Sequence, residues 1–206
     1  MIELQNVSIK FNKIIFKNFN LIIKDKSKVA IIGESGSGKS TLLNLLAGFI
    51  KPNEGNIIIN GIPLKHDTLK KIRSEIAWLP QGIDIYFENV KSLIYSLFQI
   101  RINKNNRPNE KQIISMFNKL GLDKDILNKK LSEISGGQKQ RVLLAAILLT
   151  KKKIYLLDEP TSALDKTNTL KVSKILKNID ATVICATHDP LLYSQMDTVI
   201  NLDKIN

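Results

Sequence analysis

Apolar residues occur in short strand-like runs at both ends of the chain and at helical spacing in its middle. Residues 2–11 and 14–23 are rich in β-branched and aromatic side chains, so they predict two strands. Lys28–Ile32 is a continuous apolar run, as expected of a strand buried on both faces. Further strands are predicted at residues 56–60, 75–79, 153–157, 181–186 and 198–202.

Helical patterns occupy the segment between these strand-rich ends. Leucines at helical spacing predict a helix over residues 40–49, and a second is predicted over 167–178. Residues 88–149 show helical patterns broken by polar stretches such as 103–108, in which 103–107 is expected to be a solvated loop. The order predicts an α/β domain over residues 1–206, with a core of 1–87 and 150–206 and a helical subdomain inserted at about 88–149.

Amino-acid composition argues against several classes of protein. The net charge of +12 invites a nucleic-acid interpretation, but only four of the 31 basic residues are arginines, so we expect no nucleic-acid partner. A single cysteine excludes a disulfide scaffold and a cysteine-built zinc site. No apolar run reaches the roughly 18 residues of a membrane span, and the N-terminal residues do not resemble a signal peptide.

A glycine-rich stretch follows the buried strand and matches the phosphate-loop pattern G-x-x-x-x-G-K-[ST] at every fixed position. Its backbone N–H groups can surround phosphate oxygens, its lysine can neutralise phosphate charge, and its serine hydroxyl can ligate Mg²⁺. A chance glycine turn is the alternative, but the preceding strand and following helix favour the phosphate loop. The residues are Gly33, Glu34, Ser35, Gly36, Ser37, Gly38, Lys39 and Ser40.

Two carboxylates end the hydrophobic run at residues 154–157. Asp158 can reach a Mg²⁺ ion through water, and Glu159 can polarise the water that attacks the γ-phosphate. The simpler alternative is a strand that leaves the core through polar residues.

A further motif gives the sequence a family resemblance. Ser135-Gly136-Gly137-Gln138 precedes a predicted helix and looks like the signature motif of the ATP-binding-cassette (ABC) ATPases. A generic helix cap would explain the serine but not the Gly-Gly-Gln that follows it. Essentially the whole chain resembles this family, which implies a phosphate-loop NTPase core with a mainly parallel sheet and an N-terminal antiparallel β-subdomain.

The resemblance also implies roles for individual residues. Gln81 would contact Mg²⁺, and His188 the γ-phosphate. Phe11 would stack on adenine, and Thr41 would extend the nucleotide contacts of the phosphate loop. The signature motif and Asp165 would lie at the interface between two chains that enclose two ATP molecules.

These features together indicate an ATP-hydrolysing transporter subunit that dimerises on ATP and drives integral membrane permease subunits. The second chain would be an identical or related ABC ATPase, and the protein would lie in the cytoplasm at the inner membrane face. The alternative is a soluble P-loop kinase or DNA-associated ATPase. Apolar residues after Gln81 predict the membrane-subunit contact, unless they belong to the core of the helical subdomain: Ile83, Ile85, Tyr86 and Phe87.

Overall fold

Two β-sheets organise the chain, whose structure, a computed structural model, describes residues 1–82 and 86–204. In that part of the chain the strands are β1 (Ile2–Lys10), β2 (Ile14–Ile23), β3 (Lys28–Ile32), β4 (Glu54–Ile59), β5 (Ile62–Pro63), β6 (Ile76–Leu79), β7 (Ile154–Asp158), β8 (Thr182–Ala186) and β9 (Thr198–Asn201).

The sheets differ in strand direction. The first is antiparallel with the order β2-β1-β4-β5, and the second is parallel with the order β6-β7-β8-β3-β9. Strands β3, β7 and β8 are neighbours at the centre of the parallel sheet and are almost entirely buried. Both of their faces are covered, which explains why their sequences are almost continuously apolar. The predicted α/β fold with an antiparallel β-subdomain is confirmed.

Three of the seven α-helices in the described residues lie between β6 and β7 in the chain. In the described residues the helices are α1 (Lys39–Leu46), α2 (Leu69–Ser74), α3 (Val90–Ser96), α4 (Glu110–Lys119), α5 (Gly136–Leu149), α6 (Lys166–Asn178) and α7 (Pro190–Tyr193). Although α3, α4 and α5 separate β6 from β7 along the chain, these two strands pair in the sheet. The helices are therefore an insertion between neighbouring strands. Across residues 1–82 and 86–204, no helix is both long and apolar enough to cross a membrane.

The parallel sheet separates two hydrophobic cores. Tyr155 and Leu157 of β7 belong to the core that contains the inserted helices, α6 and α7. Ile154 and Leu156 of the same strand belong to the core formed with α1 and the antiparallel sheet. This division follows from the alternation of side chains along a strand. Because the inserted helices share a core with the sheet, the subdomain boundary at about residues 88 and 149 stays a prediction.

One predicted loop is wrong in part. Residues 103–106 belong to a 3₁₀ helix, Arg101–Asn106, rather than to a solvated loop. Asn103 is buried at 6% exposure, and its Nδ2 donates to the carbonyl oxygen of Leu97 at 2.8 Å. The Asn103 amide thus supplies a hydrogen-bond donor to a carbonyl just after the end of α3. Composition alone does not reveal this contact.

Candidate nucleotide-binding site

Three connections meet at the carboxyl edge of β3, β7 and β8. The phosphate loop follows β3, Glu159 follows β7, and His188 lies two residues beyond β8. They enclose a cavity of about 370 Å³, a size typical of small-ligand sites. The cavity is lined by Lys13, Ile15, Ser35, Gly36, Gly38, Lys39, Ser40, Thr41, Gln81, Asp158, Glu159 and His188.

The phosphate loop is held by its own lysine. Lys39 Nζ donates to the carbonyl oxygens of Gly33 and Glu34, at 2.7 and 2.9 Å. Gly38 has a φ of 104°, and a Cβ atom there would lie 2.7 Å from Ile15 Cγ2. A side chain at this position would therefore clash and strain the backbone. Because α1 begins at Lys39, its N-terminal N–H groups face the same cavity, which suits an anion.

Ser40 and Asp158 bring together the oxygens that Mg²⁺ prefers. Both side chains line the cavity. Burial raises the pKa of Asp158, while the Ser40 hydroxyl and the Lys39 charge oppose that shift. The described residues contain no group of three His, Cys, Asp or Glu side chains arranged for a metal. Ser40, Asp158 and Gln81 fit a Mg²⁺ ion that takes its other ligands from phosphate and water.

Glu159 is a largely buried carboxylate with an unusual backbone. Its side chain is 12% exposed, and its φ is +50°, in the left-handed region that non-glycine residues seldom adopt. Burial raises the pKa of Glu159, and the charge and backbone N–H of His188 act in the opposite direction. His188 Nε2 lies 3.7 Å from Glu159 Oε1. The pair therefore stands at the cavity wall, beside the proposed metal ligands.

Three other predicted nucleotide or interface contacts are not among the described residues that line this cavity: Phe11, the signature stretch and Asp165. Phe11 is 55% exposed and is not among the described lining residues, although Lys13, two positions later, is. Of the described residues that line the cavity, none belongs to the signature stretch. Ser135 instead caps α5: its Oγ accepts from Gln138 N at 3.2 Å, and Gln138 Oε1 accepts from Ser135 N at 2.9 Å. Asp165 caps α6 by accepting from Asn168 N at 2.8 Å.

Comparison with known proteins identifies the family. Residues 16–162 match the family model described as "ABC transporter". The chain belongs to the ABC transporter family. Its fold matches a dimeric ATP-binding cassette in a post-hydrolysis state bound to ADP and Pi, with a TM-score of 0.84 and 32% identity over 98% of this chain and 94% of that one.

Curated relatives of this ABC protein are transporter subunits. It is 35% identical to the ergothioneine transport ATP-binding protein EgtV of Helicobacter pylori (strain G27), over 92% of this chain and 90% of the relative. It is 36% identical to the energy-coupling factor transporter ATP-binding protein EcfA1 of Mycoplasmoides gallisepticum, over 100% of this chain and 73% of the relative. The prediction of a transporter ATP-binding subunit is confirmed, and the kinase alternative is not supported.

Lys13 and Ile15 line the cavity although the sequence did not indicate them, and Asp203 is a further such residue that contacts the phosphate loop. The Asp203 carboxylate, from the turn after β9, accepts from the backbone N–H of Glu34 at 3.0 and 3.1 Å. Asp203 is fixed in turn by its own N–H, which donates to Asn201 Oδ1 at 3.0 Å. These contacts anchor the first half of the phosphate loop to the C-terminal part of the ABC domain. No local pattern signals a contact between residues 169 positions apart.

We therefore expect Asp203→Ala to weaken ATP binding, because the loop loses an anchor of about 0.5–1.5 kcal/mol. That energy corresponds to an affinity reduced by roughly 2- to 12-fold, measurable by calorimetric titration of the purified protein. Asp203→Asn is the matched control, since its amide oxygen still accepts the hydrogen bond and it should bind ATP nearly as the wild type does. Tighter binding by both variants would show that charge repulsion, not anchoring, dominates at this position.

Proposed function

We propose that this ABC protein hydrolyses ATP, with Glu159 as the general base. The observation that carries the proposal is the position of a largely buried carboxylate 3.7 Å from His188, with Ser40 and Asp158 in the lining of the same phosphate-loop cavity. A general base has to lie within reach of the water it activates, at the phosphate end of the site. His188 would contact the γ-phosphate and keep the Glu159 side chain oriented.

The remaining residues would bind and orient the nucleotide. Lys39 would exchange its carbonyl partners for β- and γ-phosphate oxygens, and the N–H groups at the start of α1 would complete the anion site. The Ser37 hydroxyl is buried without a hydrogen-bond partner among the described residues, which is consistent with a loop that completes its contacts on binding. Ser40, Gln81 and Asp158 would hold Mg²⁺, which neutralises phosphate charge when bound.

We further propose that two chains are needed for one complete site. Because the signature stretch does not line the phosphate-loop cavity, Ser135, Gly136 and Gly137 would meet the γ-phosphate held by a second ABC ATPase chain. The first turn of α5 is accessible for this contact, since a Cβ atom at Gly136 would meet nothing within 4 Å. Asp165, at the start of α6, would lie at the same interface.

The segment around Gln81 supports a contact with membrane permease subunits. Tyr86 is 90% exposed and Phe87 is 41% exposed, which favours the predicted surface role over the core alternative. Ile83 and Ile85 of that prediction lie outside the described residues. Before Gln81, exposed Phe49 packs edge-on against Trp78, with ring centroids 5.9 Å apart. These aromatic residues would hold the protein at the inner membrane face, where docking could move Gln81.

Glu159→Gln should abolish most turnover, because the amide keeps the size of the side chain but cannot accept the proton. Loss of a general base typically costs about 10²–10⁴-fold. ATP binding should survive, and an ATP-stabilised dimer should accumulate in size-exclusion chromatography. Exposed Glu54→Gln, the same chemical change outside the cavity, is the control. Wild-type turnover by the Glu159→Gln protein would refute the assignment of the base.

Lys39→Ala and Ser135→Arg should separate nucleotide binding from dimerisation. Lys39→Ala removes a charge-assisted contact worth about 1.5–3 kcal/mol, so ATP affinity should fall roughly 10- to 150-fold. Ser135→Arg should leave ATP binding by the isolated chain nearly intact while dimerisation and hydrolysis fail together. Ser135→Ala also loses the α5 cap but adds no bulk, so its melting temperature is the reference for folding. Equal loss of ATP affinity in the Lys39 and Ser135→Arg variants would rule out the two-chain site.

Tyr86→Ala with Phe87→Ala should weaken copurification with the membrane subunits from detergent-solubilised membranes. Large aromatics commonly contribute about 2 kcal/mol or more each to an interface. The melting temperature and ATP affinity of the purified protein should not change, because both rings are exposed. A markedly lower melting temperature would place the rings in the core and contradict the docking proposal.

A further inference from the structure

The side chain of Gln140, in the second turn of α5, joins that helix to the loop after β7. Gln140 Nε2 donates to the carbonyl oxygen of Glu159 at 2.7 Å and to Ser162 Oγ at 3.2 Å. Gln140 Oε1 accepts from the backbone N–H of Ala163 at 2.9 Å. The side-chain amide of Gln140 therefore donates to the beginning of the loop from Glu159 to Ala163 and accepts from its end.

The contact to Glu159 falls on the backbone that sets the direction of its carboxylate. Glu159 N donates to the carbonyl oxygen of Ala186 in β8 at 2.9 Å, so the sheet holds one side of the residue. Gln140 holds the other side through the carbonyl. A left-handed φ of +50° in a glutamate persists only where the surroundings fix it from several directions. Ser162 N and Ser162 Oγ also donate to that carbonyl, at 3.3 and 3.1 Å, and Gln140 is the donor that ties it to α5.

The same loop is in close contact with the start of α5. A Cβ atom at Gly137 would lie 2.7 Å from the carbonyl oxygen of Ala163, so glycine allows the helix to approach this closely. Gln140 also lines a cavity of about 190 Å³ together with Gln81, Asp158 and Glu159. Helix α5 and the loop from Glu159 to Ala163 therefore pack against each other beside the proposed hydrolytic site.

We propose that Gln140 is a positioning residue that fixes the Glu159 backbone to α5. Through this hydrogen bond, a displacement of α5 when Ser135 and Gly136 engage a second chain's nucleotide changes the orientation of Glu159 in its own chain. Gln140 touches neither nucleotide; it acts through the peptide group of Glu159. The inference rests on the proposed role of Glu159 as the general base.

Gln140→Leu and Gln140→Glu test the contact in the chain of residues 1–206. Leucine removes all three hydrogen bonds at similar size, whereas glutamate keeps an acceptor for Ala163 N–H but, when ionised, cannot donate to Glu159 or Ser162. Because small misplacements of a reacting group can cost up to about 100-fold, we expect kcat to fall roughly 10- to 100-fold in both variants. The KM for ATP should change less than about threefold, since the phosphate loop is untouched.

Gln99→Leu, at an exposed glutamine of the helical block, is the matched control and should hydrolyse ATP as the wild type does. Wild-type kcat in Gln140→Glu would overturn the proposal, because the Glu159 carbonyl would then need no donor from α5. Should Gln140→Leu be too unstable to purify, the isosteric Gln140→Glu variant still decides the question.

A double-mutant cycle separates positioning from general stabilisation. Single-turnover hydrolysis is compared in Glu159→Gln with and without Gln140→Leu. If Gln140 acts through Glu159, adding Gln140→Leu to Glu159→Gln should lower the residual rate by less than about twofold. A further drop equal to that of Gln140→Leu alone would overturn the positioning role. If Glu159→Gln alone turns over ATP as the wild type does, it is the assignment of the base that has failed.

Discussion

The side-by-side arrangement of β3, β7 and β8 is the constraint on which the nucleotide site depends. Parallel strands end at the same edge of a sheet, so the connections that leave these three strands meet above it. This arrangement brings Lys39, Glu159 and His188, from distant parts of the sequence, to one cavity. The strands are buried on both faces by two separate cores, which gives that edge a rigid base.

Backbone groups supply much of the positioning around this edge. Lys39 holds two carbonyls of its own loop, Asp203 holds the Glu34 N–H, and the Glu159 peptide is held from β8 and from α5. Burial raises the pKa of both Asp158 and Glu159, so cationic partners are needed to stabilise their ionised forms.

In the proposed two-chain site, each chain would offer two surfaces, the phosphate-loop cavity and the start of α5, where Gly136 lines a neighbouring cavity with Asp158 and Glu159. The phosphate-loop cavity is lined without the signature residues, and these residues cap α5 at a position where Gly136 is open to solvent. A twofold-symmetric pair would satisfy both halves at once, because each chain offers the same two surfaces to its partner. Gln140 connects the surfaces inside one chain, since α5 carries the signature at its start and holds the Glu159 loop one turn later.

Local sequence was sufficient for the fold class and for the parts of the site that are continuous in the chain. The phosphate loop, the Asp158–Glu159 pair and the signature are each encoded within a few neighbouring residues, so their presence and the ABC family could be predicted. The roles of the individual site residues, Phe11 and Asp165 included, stay predictions. Asp203 and Gln140 could not be assigned in advance, because their partners lie 169 and 19–23 positions away. The buried position of Asn103, predicted to lie in a solvated loop, depends on its contact with the Leu97 carbonyl, which composition does not reveal. The sequence determined which chemical groups are present. The packing of β3, β7, β8 and α5 decided which backbone atoms these groups contact, because groups that are distant in the chain come within hydrogen-bonding distance only after the strands have paired.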